Sequence, residues 1–409
     1  MIEPSADDIA FLALAATGCA SGVGECRVAP AAGVVENMTT RSLDRLSGRF
    51  DDGTGWSVVA KVLHPASAAA QWHMVPEEFR ETVLEDLNWL DEPRIYESGL
   101  RARLPNGLRM PAIHRIDRTG SAITMWMEDV ADAPHWDIGR DRRVARLLGR
   151  LSGRLTEADA GALGIGRRPI GRLFHGKLVN FDLPIMAHDT FWESPTVSGL
   201  VDACYRDDLG RLVSIAPALI DRLDQLPHGM AHGDASPSNF REPGDGTVVA
   251  IDWSYGSVAP LGADLGQLVA GHVAIDDLQE GPAAEFVDVV VDEYTAGLAD
   301  EGVSTDRSDV YFACVTHLAL RFVISALILE PGTDRSAQDL HTLMRRRAAL
   351  GRVGLDLALT LAPERSSSSV ASSTPPSRRD PSKRKPPTPI RSGVSPTTSG
   401  TAAAPAHSV

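Results

Sequence analysis

At 409 residues, with 43% hydrophobic and 23% charged residues, the chain is long enough for two lobes and a substantial core. A formal net charge of −14 argues against nucleic acid as a partner of the body and permits a cationic small molecule. No apolar run reaches the ~18 residues of a membrane-spanning helix, so no membrane role is expected. Cys19, Cys26, Cys204 and Cys314 are scattered, without CxxC spacing, which suits a reducing compartment and no disulfide framework.

The first predicted element is a helix, with Ser5 as N-cap, Asp7 and Asp8 in an acidic first turn, and Gly18 as the stop. The same stretch, IAFLALAATGC, imitates a secretory apolar region. Its leading MIEPSADD is acidic and lacks Lys or Arg, the reverse of a signal sequence, and the expected location is cytoplasmic. Strands follow in ECRVAPA, SLDRLSGRF and GWSVVAKVLH, with DDGTG as a hairpin turn between the last two. A helical stretch is predicted over PEEFRETVLEDLNWLDEPRIYESGL, then a strand pair, MPAIHRID and SAITMWMED, across the RTG turn. After Asp129 the texture becomes helical, in segments from RRVARLLGRLSGRL to SAQDLHTLMRRRAALGRVGLDLALTLA, with a short strand at GTVVAID. No internal repeat is present.

This order predicts an α+β chain with a small β-rich lobe over residues 1–129 and a larger helical lobe over 130–362. Residues 363–409 read as a disordered tail rich in Ser and Pro, whose composition cannot repay the entropy of ordering. From Arg365 onward seven basic residues are set against Asp380 alone, a net +6 that leaves −20 on the body.

The densest chemistry lies in MAHGDASPSNF, Met230 to Phe240, followed by VVAIDWSYG, Val248 to Gly256. His228 and His232 imitate the i, i+4 pair that grips zinc on a helix. Pro227, Gly229, Gly233 and Pro237 argue against a helix there, since each Gly costs roughly 1 kcal/mol and an interior Pro about 3. An oxygen-ligand reading fits better: Asp234 free in a loop to meet a substrate hydroxyl, with Asn239 and Asp252 converging on a hard cation. Phosphoryl transfer from a nucleotide requires that set and a cation on the phosphates. Lys61, in the apolar strand VVAKVL, supplies the cation; only Lys61, Lys177, Lys383 and Lys385 are lysines among the 40 basic residues.

HGDASPSN followed by VVAIDW resembles the catalytic and metal loops of the aminoglycoside phosphotransferase and choline kinase family, relatives of the protein kinases. The resemblance implies a protein-kinase-like bilobal fold and an ATP-dependent (or GTP-dependent) kinase using Mg²⁺ on a small-molecule hydroxyl, aminoglycoside-like, amino alcohol or sugar. It implies Asp234 as the catalytic residue, Asn239 and Asp252 as metal ligands, and Lys61 on the phosphates. DEPRIYESGL resembles the family's Tyr-x-Ser-Gly-Leu segment and nominates Glu92 as the partner of Lys61, with Glu78, Glu81 and Glu85 as rivals. MWMEDV resembles the hinge, whose backbone at Met127 and Asp129 would meet adenine. GADLGQL resembles the trailing Asp-Leu segment, where Asp264 braces the catalytic region, and His232 reads as a second brace.

There are departures. The nucleotide-covering turn near VVENMTTRSL lacks G-x-G-x-x-G, which leaves backbone amides and the Thr39 and Thr40 hydroxyls for the phosphates. Ser236 stands where protein kinases place a lysine. A nucleotide-binding pseudoenzyme and an atypical protein kinase remain alternatives, though SYGSVAPLGA leaves little room for a peptide-binding segment. Acids facing an amine acceptor are sought in Asp276, Asp277 and Glu280, and the sequence leaves the oligomeric state open.

Overall fold

The computed structural model describes residues 4–18, 22–31, 37–133, 135–275, 283–329 and 336–362. Contacts divide the chain into Met1–Pro363 and Glu364–Val409. The expected disordered tail, the acids Asp276, Asp277 and Glu280, and the tip of the turn before Thr39 lie outside the described residues.

The sheet is built from β1 (Val23–Pro30), β2 (Thr40–Phe50), β3 (Gly55–Leu63), β5 (Ile113–Thr119) and β6 (Ala122–Glu128), in the order β1-β2-β3-β6-β5, antiparallel throughout. A two-residue strand, β4 (Leu108–Arg109), precedes β5 in the chain and pairs elsewhere. Alternation along central β3 gives its two faces different work. Trp56, Val58 and Ala60 pack with Leu46, Phe50 and Trp126 against Leu12 and Ala13 of helix α1 (Ala6–Thr17). Val59, Lys61 and Leu63 therefore point the other way, where Leu63 joins Met125 and Met127. Register sets Lys61 opposite Leu43 on one side and Met125 on the other, so its strand position is central. Helix α1 starts in a capping box between Ser5 and Asp8 and stops at Gly18, at φ 72°.

The single helical stretch expected after β3 is two short helices, α2 (Arg80–Asp86) and α3 (Asp91–Glu97). Leu87 leaves helical geometry, and the Asn88 side chain accepts from Leu90 N while donating to Asp91, a local competition that ends one helix and starts another.

The remainder is mainly helical. Its long helices are α4 (Ile138–Arg154), α9 (Tyr205–Gln225), α10 (Ala263–Ile275), α11 (Ala283–Asp300), α12 (Arg307–Leu318) and α13 (Ala337–Thr360). Short helices α5 (Glu157–Ala162), α6 (Ile170–Leu173), α7 (Leu183–Ala187) and α8 (Asp189–Trp192) lie between α4 and α9. The continuous helix expected through DVYFACVTHLALRFVISALILE widens into a π-turn at Ala319–Val323. Four short strands, β7 (His228–Ala231), β8 (Phe240–Arg241), β9 (Val248–Ala250) and β10 (Ser257–Pro260), form a β10-β7 pair and a β4-β9-β8 sheet. They hold the two motif loops in place, one after β7 and the other after β9. The α+β class, with the large sheet preceding most of the helices, agrees with the sequence reading. Among the described residues no helix is long and apolar enough to cross a membrane.

Candidate active site

His228 begins β7, so the histidine pair sits on extended backbone, where four residues span about 13 Å and not one helical turn. His228 Nδ1 lies 2.6 Å from Leu226 O and His232 Nε2 2.9 Å from Ile251 O; both bonds are local bracing.

The loop after β7 is shaped by Gly233, at φ 79°, where a Cβ would come within 1.9 Å of Tyr255 O. No L side chain fits there. Asp264, at the start of α10, clamps this loop from below. Its two carboxylate oxygens accept from His232 N and Gly233 N, each at 2.8 Å. Burial pushes the Asp264 carboxyl up, and His232 and the two amides pull it back only in part. Arg321 donates to Gly233 O and lies 5.6 Å from the Tyr255 ring centroid.

Asp234 follows on the clamped loop. Its Oδ2 accepts from Asn239 Nδ2 at 3.1 Å and its Oδ1 from Gln267 Nε2 at 3.0 Å, so two amides orient the carboxylate without neutralising it. Asn239 also donates to Asp234 O at 2.9 Å. The Asn239 nitrogen is thus committed, and its amide oxygen is the group left to ligate.

The second loop leaves β9 through Asp252, at φ 56° and ψ 68°, the one non-glycine residue with positive φ among the described residues. This sparsely populated conformation turns the carboxylate back toward the large sheet. Lys61 Nζ lies 3.0 Å from Asp252 Oδ1 and 2.7 Å from Glu92 Oε2. Glu92, on α3, is 2% exposed; Glu78 and Glu81 face solvent, and Glu85 pairs with Arg172. Burial alone would depress the lysine, but Glu92 and Asp252 override it and hold the ammonium above its ordinary range. Two carboxylates share that one cation unequally. Burial pushes Glu92 up to about 7 against the pull of Lys61, whereas at Asp252 Lys61 overcomes burial and keeps the carboxyl low.

The loops are stitched together, because Ile251 N donates to Asn239 O at 2.9 Å and His232 reaches Ile251 O. The structure therefore forms two clusters, Lys61–Glu92–Asp252 and Asp234–Asn239–Gln267, joined through residue 251. Asn239 Oδ1 and the partly exposed Asp252 carboxylate are hard oxygen donors suited to a divalent cation such as Mg²⁺.

The other predicted positions are peripheral to these clusters. Met127 lies inside β6, paired with β3 and β5, and Asp129 just beyond the strand accepts both arms of Arg45, at 2.7 and 2.9 Å. Thr39 is tied to Asn37 Oδ1, and Thr40 opens β2 opposite Leu63, two residues from Lys61, with its buried hydroxyl lacking a hydrogen-bond partner among the described residues. Gln267 and Arg321 were not legible as site residues. Gln267 follows Asp264 by three on one helix face, a usable signal; Arg321 reaches the loop from 88 residues away and has none.

A cavity of about 460 Å³ opens beside Asp234, lined by Ser236, Asn239, Gln267 and residues of the π-turn and α13. No family model and no curated protein matches the chain. Among solved structures it is similar to a spectinomycin phosphotransferase in complex with ADP and spectinomycin, at 9% identity over 86% of this chain and 99% of that one, TM-score 0.47. It is also similar to an amicoumacin kinase in complex with AMP-PNP and Ca²⁺, at 13% identity over 79% and 87%, TM-score 0.45. A Plasmodium vivax ethanolamine kinase shows 12% identity over 80% and 82%, TM-score 0.43. Likenesses this distant carry no argument about activity, which rests on the geometry of the two clusters.

Proposed function

We propose that the chain transfers the γ-phosphoryl group of ATP to a hydroxyl of a small molecule. The observation that carries this reading is the pairing of an oriented, solvent-reaching Asp234 with a buried Lys61–Glu92–Asp252 cluster on stitched loops beside an open cavity. Asp234 aligns the acceptor hydroxyl and receives its proton as the new O–P bond forms. The bond from the γ-phosphorus to the bridging oxygen breaks, and ADP leaves. Lys61, kept protonated by two carboxylates, meets the nucleotide phosphates, and Glu92 fixes where it points. Thr39 and Thr40, together with Met127 and Asp129, border the nucleotide. A divalent cation held by Asn239 and Asp252 neutralises phosphate charge when bound. Arg321 supports the same reading, since it brings a guanidinium to the loop where Ser236 replaces the lysine of protein kinases. The residue-129 division into nucleotide and acceptor lobes follows from this assignment.

The test separates two aspartates. Asp234→Asn should lower single-turnover transfer by at least about a thousandfold, the scale set by losing general-base help together with substrate alignment, and preserve Mg-nucleotide affinity. Asp252→Asn should damage both, because it removes formal charge from the metal ligand set. Nucleotide titrations with and without Mg²⁺ make the comparison. Mg-dependent binding lost in Asp234→Asn but intact in Asp252→Asn would reverse the assignments, and normal turnover in both variants would defeat the proposal.

A further inference from the structure

Phosphoryl transfer moves charge onto the oxygens of the migrating group and onto the departing ADP, so the place where it occurs calls for cations. Lys61 is already matched by two carboxylates, Glu92 at 2.7 Å and Asp252 at 3.0 Å. Ser236 brings no charge to the loop. Arg321 stands differently. It lines one cavity with Asp234, Ser236 and Asn239, and among the described residues it forms no ion pair with a carboxylate. It donates through Nη1 to Gly233 O. Standard peptide dimensions place that oxygen within about 3 Å of the next Cα, that of Asp234. One donor of the guanidinium is spent on this bond, and the Tyr255 ring, with its centroid at 5.6 Å, engages none.

The side chain is carried on firm backbone. Arg321 stands in the middle of the π-turn Ala319–Val323, between the buried Leu320 and Phe322. A π-turn departs from the regular helical ladder, and such turns collect at functional sites. Two neighbours bound its field. Burial raises the Asp264 carboxyl and Arg321 is among the groups that pull it back, but both Asp264 oxygens are committed to His232 N and Gly233 N. Burial, with Arg321 adding to it, lowers His317 to about 3, so this imidazole is neutral and supplies no second cation.

We propose that Arg321 is a catalytic residue: when the nucleotide is bound, its remaining guanidinium N–H groups contact the γ-phosphoryl oxygens and take up the charge that develops as the group passes to the acceptor. This rests on the phosphotransfer reading above and adds a residue to it. Gly233 O fixes one arm of the guanidinium, so the loop that positions Asp234 positions the cation as well. Alignment of the hydroxyl and stabilisation of the moving charge then depend on one peptide unit.

The experiment compares the binding of ADP with that of ADP–aluminium fluoride, a mimic of the phosphoryl group in flight, to the full chain with Mg²⁺ and without acceptor. Leaving out the acceptor removes the aligning role of Asp234 from the readout. Arg321→Gln should bind ADP within about twofold of the parent and ADP–aluminium fluoride at least about a hundredfold more weakly, the scale of losing one transition-state donor. Arg321→Lys should fall between the two, since the charge remains and the planar fork is lost. Thermal melts report the fold of each variant; if Arg321→Gln does not fold, Arg321→Lys carries the comparison with the parent. Equal weakening of both ligands in a folded variant overturns the inference, because Arg321 would then shape the nucleotide site as a whole. Unchanged affinity for both also overturns it and leaves phosphotransfer standing wherever the parent turns over ATP. A parent for which aluminium fluoride adds nothing to ADP affinity, and which transfers nothing from ATP, overturns the phosphotransfer reading together with it.

Discussion

Lys61 is the residue on which most of the site's electrostatics turn. Deleting its charge leaves Glu92 buried at 2% exposure with its partner gone, and breaking a buried pair this way costs about 3–5 kcal/mol. The cost depends on pH. Glu92 already sits at about 7 in the folded protein, above its ordinary 4.5, so the folded state holds its proton to higher pH than the unfolded chain does. Stability linked to this group is therefore fully present below the unfolded value and is lost as pH rises through the folded one. Without Lys61 the folded value climbs further and the window widens upward. Lys61→Met should melt lower than the parent, with the gap larger at pH 8 than at pH 6, and should lose nucleotide placement. Lys61→Met/Glu92→Gln should recover the melting temperature without recovering turnover. A pH-independent gap in thermal melts would mean that Glu92 is not the ionising partner.

Elements pack as closely as their glycines allow. Helices α4 and α11 approach through Gly149 and Gly297, where an added Cβ would lie 2.1 Å from Tyr294 O and 2.1 Å from Arg146 O. Both obstacles are backbone, which cannot swing aside. Gly149→Ala should destabilise by roughly 2–3 kcal/mol as the helices are forced apart. Gly161→Ala, on α5 with no atom within 4 Å of its added Cβ, should be neutral or stabilising by up to about 1 kcal/mol, because alanine favours helix. Urea unfolding midpoints of the two variants give the comparison; equal shifts would remove the close-packing explanation. The short helices α2 and α3 show the complementary case, since Asn88 breaks an apolar periodic run through side-chain bonds no larger than one turn.

For the whole molecule, charge is divided by segment. Composition places +6 on the stretch from Arg365 onward and −20 on the rest. Truncation before Arg365 should leave the melting temperature and ATP turnover nearly unchanged, because that stretch has almost no large apolar side chains to bury; a substantial fall in either would show that it docks on the body. The hairpin of β2 and β3, the central strand bearing Lys61, the β5–β6 pair and the long helices were legible because period-2 and period-3.6 patterns are local. The motif loops were legible too, since Gly and Pro forbid a helix where Asp234 and Asn239 stand. Which glutamate meets Lys61 was not decidable from spacing, because four candidates share one stretch and only the turn at Leu87–Leu90 brings Glu92 inward. Gln267 on Asp234 and Arg321 on Gly233 join residues far apart in the chain. Sequence by itself determined the element types and the chemistry of the loops, through propensity and local pattern. Tertiary structure alone decided the partners, because a long-range contact depends on how whole elements pack.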